Sequence, residues 1–210
     1  MTHEATRRNY DRLSRWYDLF TSSERRFTEI GLQRLDIRAG ESVLEIGFGT
    51  GHALVELAGL VGETGQVYGI DISERMLQVA QRHIHRAGLA ERVELRLGDA
   101  AHLPFEDSTF DALFISFTLE LFGTSEIPLM LGECQRVLRQ GGRIGLVAMA
   151  EGSGLAVRLY KWGHRHWPSL LDCRPIQASM LVTESGFQDV EMTVESTWGL
   201  PVQIVTARKP

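Results

Sequence analysis

Cysteine is scarce: Cys134 and Cys173 are the only two in 210 residues. They stand far apart in dissimilar surroundings, which gives neither a disulfide framework nor a CxxC metal site, and the expected compartment is the reducing cytoplasm. Long apolar runs are missing as well. No stretch approaches the roughly eighteen residues a membrane span needs, and the opening Met1-Thr2-His3-Glu4 segment lacks the apolar core of an export signal. Positive charge is not in excess: 22 Lys and Arg stand against 27 Asp and Glu, for a formal net charge of −5. That balance argues against sequence-independent binding to a phosphate backbone and leaves nucleic acid out of the expected partners. Neither internal repeats nor low-complexity tracts occur. What remains, 43% hydrophobic and 23% charged residues, is the composition of a chain that folds by burial, and the length suits one domain.

Along the chain, β-type runs alternate with helical spacing. Strands are expected at Ser42–Ile46, Gln66–Ile70, Val93–Leu97, Phe110–Ile115 and Arg143–Ala148. Helices are expected at His52–Val61, Ser73–Ala87 and about Ser125–Leu138. Ser73 is the expected N-cap of its helix. Such alternation implies right-handed crossovers and a mainly parallel sheet with helices on both faces. Residues 3–35 place Tyr10, Leu13, Trp16, Tyr17 and Phe20 at three- and four-residue spacing and read as two short helices forming a cap over 1–38. The core covers 39–150. The rhythm fails over 151–175, which reads as a cover for a substrate, and returns over 176–210 with a helix near Ile176–Ser185 and strands near Asp189–Glu195 and Pro201–Ala207.

The strongest local signal is Glu45-Ile46-Gly47-Phe48-Gly49-Thr50-Gly51, a glycine-rich bend between strand and helix. Glycines let the main chain take positive φ and approach a ligand closely. A dinucleotide fingerprint, G-x-G-x-x-G, needs a third glycine where this chain has His52 or Leu54, so neither frame closes. A plain structural turn is the other reading of the bend. Twenty residues beyond Gly51, the second strand ends in Tyr68-Gly69-Ile70-Asp71. A carboxylate at that neighbouring strand tip can take both hydroxyls of a ribose. Capping the helix that begins near Ser73 is the competing role for Asp71. The third strand leads into Gly98-Asp99-Ala100, and the fourth into Ser116-Phe117-Thr118-Leu119-Glu120.

Taken in order, the acidic-x-G-x-G-x-G bend, Asp71, Asp99-Ala100, the fourth strand and Leu138-Arg139-Gln140-Gly141-Gly142 resemble the class I S-adenosylmethionine-dependent methyltransferases over roughly residues 10–148. Within that family the chain is most similar to the ubiquinone/menaquinone biosynthesis C-methyltransferase-like group, whose opening segment Tyr10-Asp11 and Trp16-Tyr17-Asp18 resemble. Gln140 stands where proline is commonest, a change in turn rigidity. The resemblance implies a Rossmann-like α/β fold: a mainly parallel seven-stranded sheet with helices on both faces and an antiparallel C-terminal strand. It also implies S-adenosylmethionine as cofactor, S-adenosylhomocysteine as product, and no metal. Carried over residue by residue, the cofactor would meet Tyr17, Glu45, Gly47, Phe48, Gly49, Gly51, Asp71, Ile72, Met76, Asp99, Ala100, Ser116 and Phe117. Asp99 and Ala100 would face the adenine, with Ile72 and Met76 flanking its ring. Tyr17, Ile72 and Met76 are equally ordinary packing residues.

Methyl transfer from a sulfonium is an in-line displacement, and holding the reactants in a near-attack arrangement can contribute about 7–11 kcal/mol. No covalent enzyme intermediate is required, so the lack of a Ser-His-Asp or Cys-His set is consistent. Where the acceptor must shed a proton, Glu120, His164 and His166 are the candidate catalytic residues, with Asp172 a further carboxylate, and histidine titrates nearest neutrality. Over Leu155–Pro175, Arg158, Lys161, Arg165 and Arg174 alternate with Trp162, Trp167 and Leu170. That mixture suits a small amphipathic acceptor, a quinone precursor or a lipid, or peripheral docking on an anionic membrane. An amphipathic helix packed on the sheet is the alternative. Two other activities compete: an NAD-dependent oxidoreductase, against which the misplaced third glycine counts, and a non-catalytic nucleotide-binding module.

Overall fold

A computed structural model describes residues 17–152, 175–197 and 200–210. Its strands are β1 (Ser42–Ile46), β2 (Gln66–Asp71), β3 (Val93–Leu97), β4 (Phe110–Ser116), β5 (Leu138–Met149), β6 (Gln188–Thr197) and β7 (Leu200–Arg208). They form one seven-stranded sheet in the order β3-β2-β1-β4-β5-β7-β6. The first five run parallel to one another, and β7 lies antiparallel to both β5 and β6. The expected mainly parallel sheet with an antiparallel C-terminal strand is therefore present.

Burial explains the strand sequences. In β4, Ala112 and Phe114 face one core layer while Leu113 and Ile115 face the other, which is why the strand reads as an almost unbroken apolar run. On one face of the sheet pack α1 (Tyr17–Leu35), α2 (His52–Leu60) and α3 (Glu74–Arg86), through side chains such as Phe27, Leu54 and Ala80. On the other pack α4 (Ile127–Val137) and α5 (Ala178–Glu184), through Met130, Cys134 and Val182. Helix α3 begins as its sequence demands: Ser73 is extended, and its hydroxyl accepts the Met76 N–H at 3.3 Å.

From Tyr17 on, the segment read as an N-terminal cap is one continuous helix of 19 residues, with Phe27, Leu32 and Leu35 buried against the sheet; the residues before it lie outside the described ones. One expectation needs correction. The Gly141-Gly142 bend is not a loop between α4 and a strand starting at Arg143. It is an excursion within β5: Phe110 pairs with Leu138 and Ala112 with Arg143, so four residues of β5 bulge out between them. Gly141 takes φ +71°, and a Cβ on Gly142 would lie 2.8 Å from the Arg139 carbonyl.

This strand order has a consequence for function. The chain leaves β1 for β2 and β3 on one side and returns to β4 on the other, so a crevice opens beyond the carboxyl ends of the strands where the order reverses.

Candidate functional site

The crevice is an open cleft of about 850 Å³ at the ends of four adjacent strands. Ile46 ends β1 and Gly47 and Gly49 follow it, Asp71 ends β2 and Ile72 and Ser73 follow it, Gly98 to Ala100 follow β3, and Ser116 ends β4 with Phe117 and Thr118 after it. Leu121, Phe122 and Glu126 complete its wall.

The glycine bend is built for close approach. A Cβ on Gly47, whose φ is +73°, would meet the Thr118 side chain at 2.3 Å, so the absent side chain is what lets the end of β4 lie against the bend. Thr118 reaches that position because Phe117 takes a left-handed backbone with φ +49°, an expensive conformation for a bulky residue of the kind that gathers at functional sites. Gly49 differs. It also has positive φ, yet a Cβ there would meet nothing within 4 Å, so the space beside it belongs to the cleft.

Asp71 joins the first two strand tips. Its Oδ2 accepts the Gly49 N–H at 2.9 Å, and its Oδ1 accepts the Ser73 N–H at 2.8 Å. Asp71 thus shapes the turn into α3, the local role read as the alternative for it, and at the same time holds the glycine bend at the cleft. Asp99 makes the matching local turn after β3, with Oδ1 accepting the Ala101 N–H at 2.8 Å.

Of the residues expected to meet a cofactor, Gly47, Gly49, Asp71, Ile72, Met76, Asp99, Ala100, Ser116 and Phe117 come together on this one cleft. Three expected contacts lie behind it. The Phe48 ring is buried in the core, and a Cβ on Gly69 would lie 2.8 Å from it. Gly51 is buried against Ala80 of α3. Glu45 is 3% exposed, and its Oε2 has no hydrogen-bond partner. Burial, with Asp71 and Glu56 nearby, holds its carboxyl well above the usual carboxylate range. Tyr17 belongs to the described backbone of α1, but its side chain lies outside the description.

Among the candidate proton acceptors, His164, His166 and Asp172 lie outside the described residues, as do Tyr10 and most of residues 151–175, the segment read as a substrate cover. Glu120 sits in a single 3-10 turn, Leu119–Leu121, between wall residues Thr118 and Leu121, yet is itself buried and absent from the wall. Its Oε1 accepts the Met149 N–H at 3.1 Å, and its Oε2 has no partner. Burial, and the like charge of Glu24 on α1, raise its pKa to about 7.

Sequence reasoning missed Ile46, Ile70, Ser73, Gly98, Thr118, Leu121, Phe122 and Glu126 as wall residues. Thr118 had a signal, since it lies two residues beyond the fourth strand. Leu121, Phe122 and Glu126 had none, because the turn that returns them to the cleft comes from packing. Among the described residues no group of three or more potential ligands could hold a metal ion, and no helix is long and apolar enough to cross a membrane.

Comparison with known proteins agrees with this geometry. A methyltransferase domain family matches residues 43–142. The demethylmenaquinone methyltransferase of Bacillus mycoides is 34% identical over 140 residues, covering 64% of this chain and 58% of the relative. That of Lactobacillus johnsonii is 32% identical over 127 residues, covering 60% and 51%. The chain thus spans between half and three fifths of the length of these curated relatives. Among solved structures, a SAM dependent methyltransferase from Aquifex aeolicus superposes with a TM-score of 0.68 at 24% identity, covering 87% of this chain and 89% of the other. With the glycine bend, Asp71 and Asp99 gathered at the switch point of a 3-2-1-4-5-7-6 sheet, the chain has the Rossmann-like fold of class I methyltransferases, and its residues 43–142 match a methyltransferase domain.

Proposed function

We propose that this protein transfers a methyl group from S-adenosylmethionine to a small hydrophobic or amphipathic acceptor of the quinone-precursor type. The observation that carries the cofactor half of this reading is the Gly49 N–H to Asp71 bond, which ties the glycine bend to the tip of β2 on one cleft. When bound, the cofactor supplies an electrophilic methyl carried on a sulfonium. The residues present fit it: with open space at Gly49 and these side chains on the wall, Gly49 would receive its amino-acid portion, Asp71 would take the sugar hydroxyls, and Asp99, Ala100, Ile72 and Met76 would hold the base. A carboxylate offers about four acceptor positions, so the backbone bonds of Asp71 are compatible with further donors. Ser116 and Phe117 close the cleft from β4, and the main chain of these four strand tips does the aligning. The acceptor class is supported by the apolar wall of Phe117, Leu121 and Phe122 and by the names of the curated relatives.

Calorimetry with S-adenosylhomocysteine and NAD tests the cofactor, and incubation with S-adenosylmethionine and a demethylated naphthoquinone, followed by mass spectrometry, tests the acceptor. Saturable heat with the first nucleotide alone, and a product heavier by one methylene, are expected. Binding of NAD instead would replace the reading with an oxidoreductase, and cofactor binding with no methylated quinone would remove the acceptor class. Asp71→Ala is expected to weaken S-adenosylhomocysteine binding by roughly ten- to hundredfold, from the loss of about 1.5–3 kcal/mol of hydrogen bonding to a charged group.

A further inference from the structure

The glycine bend is gripped from behind by α3. Ala80 and His83, three residues apart and so neighbours on one helix face, both reach it: a Cβ on Gly51 would lie 2.9 Å from the Ala80 Cβ, and His83 Nδ1 lies 2.7 Å from the carbonyl oxygen of Thr50. A carbonyl only accepts, so Nδ1 of His83 carries the proton. The other end of the same peptide unit is held as well, because the Gly51 N–H donates to the Phe48 carbonyl at 2.8 Å. The Thr50–Gly51 peptide plane is therefore fixed on both sides, which sets the direction of the main chain through Gly49, where the cleft begins. Gly51, the N-cap of α2, has φ +84° and no side chain with which to cap the helix.

From this we infer that His83 is a positioning residue for the cofactor bend: by donating Nδ1–H to the Thr50 carbonyl it keeps Gly47–Gly51 in the conformation that receives the amino-acid portion of S-adenosylmethionine. The grip extends outward. The His52 and His83 rings are 5.1 Å apart, and Arg25 Nη2 on α1 lies 2.8 Å from His52 Nε2. Helix α1 is thus linked to the bend through two imidazoles. His83 has no place on the cleft wall, so its effect falls on affinity through the main chain.

The inference rests on the proposed cofactor, and the experiment separates the two. S-adenosylhomocysteine is titrated into the full chain and into His83→Phe, which keeps a ring but loses the donor, and His83→Asn, whose side-chain amide can donate from nearly the same place as Nδ1. His83→Leu replaces the Phe variant should that fail to fold. The expected result is a Kd raised about five- to tenfold in His83→Phe, as for one neutral hydrogen bond, and restored to within about threefold of the parent in His83→Asn. Equal affinity in all three, or equal loss in Phe and Asn, overturns the positioning role and leaves the cofactor reading standing. Absence of binding by the unaltered protein overturns the cofactor reading itself.

Discussion

Two glycines two residues apart do different work, and alanine at each separates them. At position 47 the new Cβ has nowhere to go, with Thr118 at 2.3 Å and φ at +73°. Gly47→Ala is expected to lower unfolding free energy by about 2–4 kcal/mol, from overpacking added to a left-handed backbone, as read by urea titration. At position 49 the Cβ enters open cleft space. Gly49→Ala is expected to cost only about 1–2 kcal/mol of stability while weakening S-adenosylhomocysteine binding more than tenfold. A second residue-scale outcome concerns Glu120, whose pKa stands at about 7 in the fold against an ordinary value of 4.5. A raised carboxyl pKa means the folded state holds the proton more tightly. That contribution is complete below pH 4.5 and is lost as pH rises through about 7, a change on the order of 3 kcal/mol. Glu120→Gln removes the titration, so its stability relative to the parent should rise between pH 5 and pH 8, as followed by thermal unfolding across that range.

At the scale of elements, α4 acts as a clasp for the loop between β3 and β4. Arg136 donates to the Leu103 and Phe105 carbonyls at 2.9 and 2.8 Å and pairs with Glu133, whose Oε2 accepts the Leu103 N–H at 2.7 Å. The ion pair with exposed Asp107 adds little, since water screens it. The loop begins at Asp99 and Ala100, so what holds 103–107 also holds the edge of the cleft. Arg136→Ala is expected to destabilise by about 1–3 kcal/mol, through the carbonyls it leaves unpaired, and to speed hydrogen exchange in 99–108. Most elements were legible because their signals are local: apolar runs for β1 and β4, Ser73 before α3, and glycines at the bend. The β5 bulge was not, because Gly141-Gly142 also reads as an ordinary turn. Only pairing with β4 places it inside a strand.

For the whole molecule, the cleft draws on four strand tips, so a ligand there bridges elements that must otherwise be held by packing alone. Binding to the folded state only, at a hundred times its Kd, adds about 2.7 kcal/mol. With S-adenosylhomocysteine at that excess, the thermal midpoint is expected to rise by roughly 5–10 °C, as measured by differential scanning calorimetry, while NAD leaves it unmoved.

The order of strands and helices along the chain, the parallel core, and the glycine bend and Asp71 at neighbouring strand tips were written in the sequence itself, because periodicity, capping and glycine conformation act within a few residues. Tertiary structure alone decided the rest. It turned Phe48 and Glu45 inward, drew Thr118 against Gly47, returned Leu121 and Phe122 to the cleft, and set His83 behind Thr50. Each of those contacts joins segments brought together by the sheet order, and spacing along a chain carries no record of what a later strand will press against it.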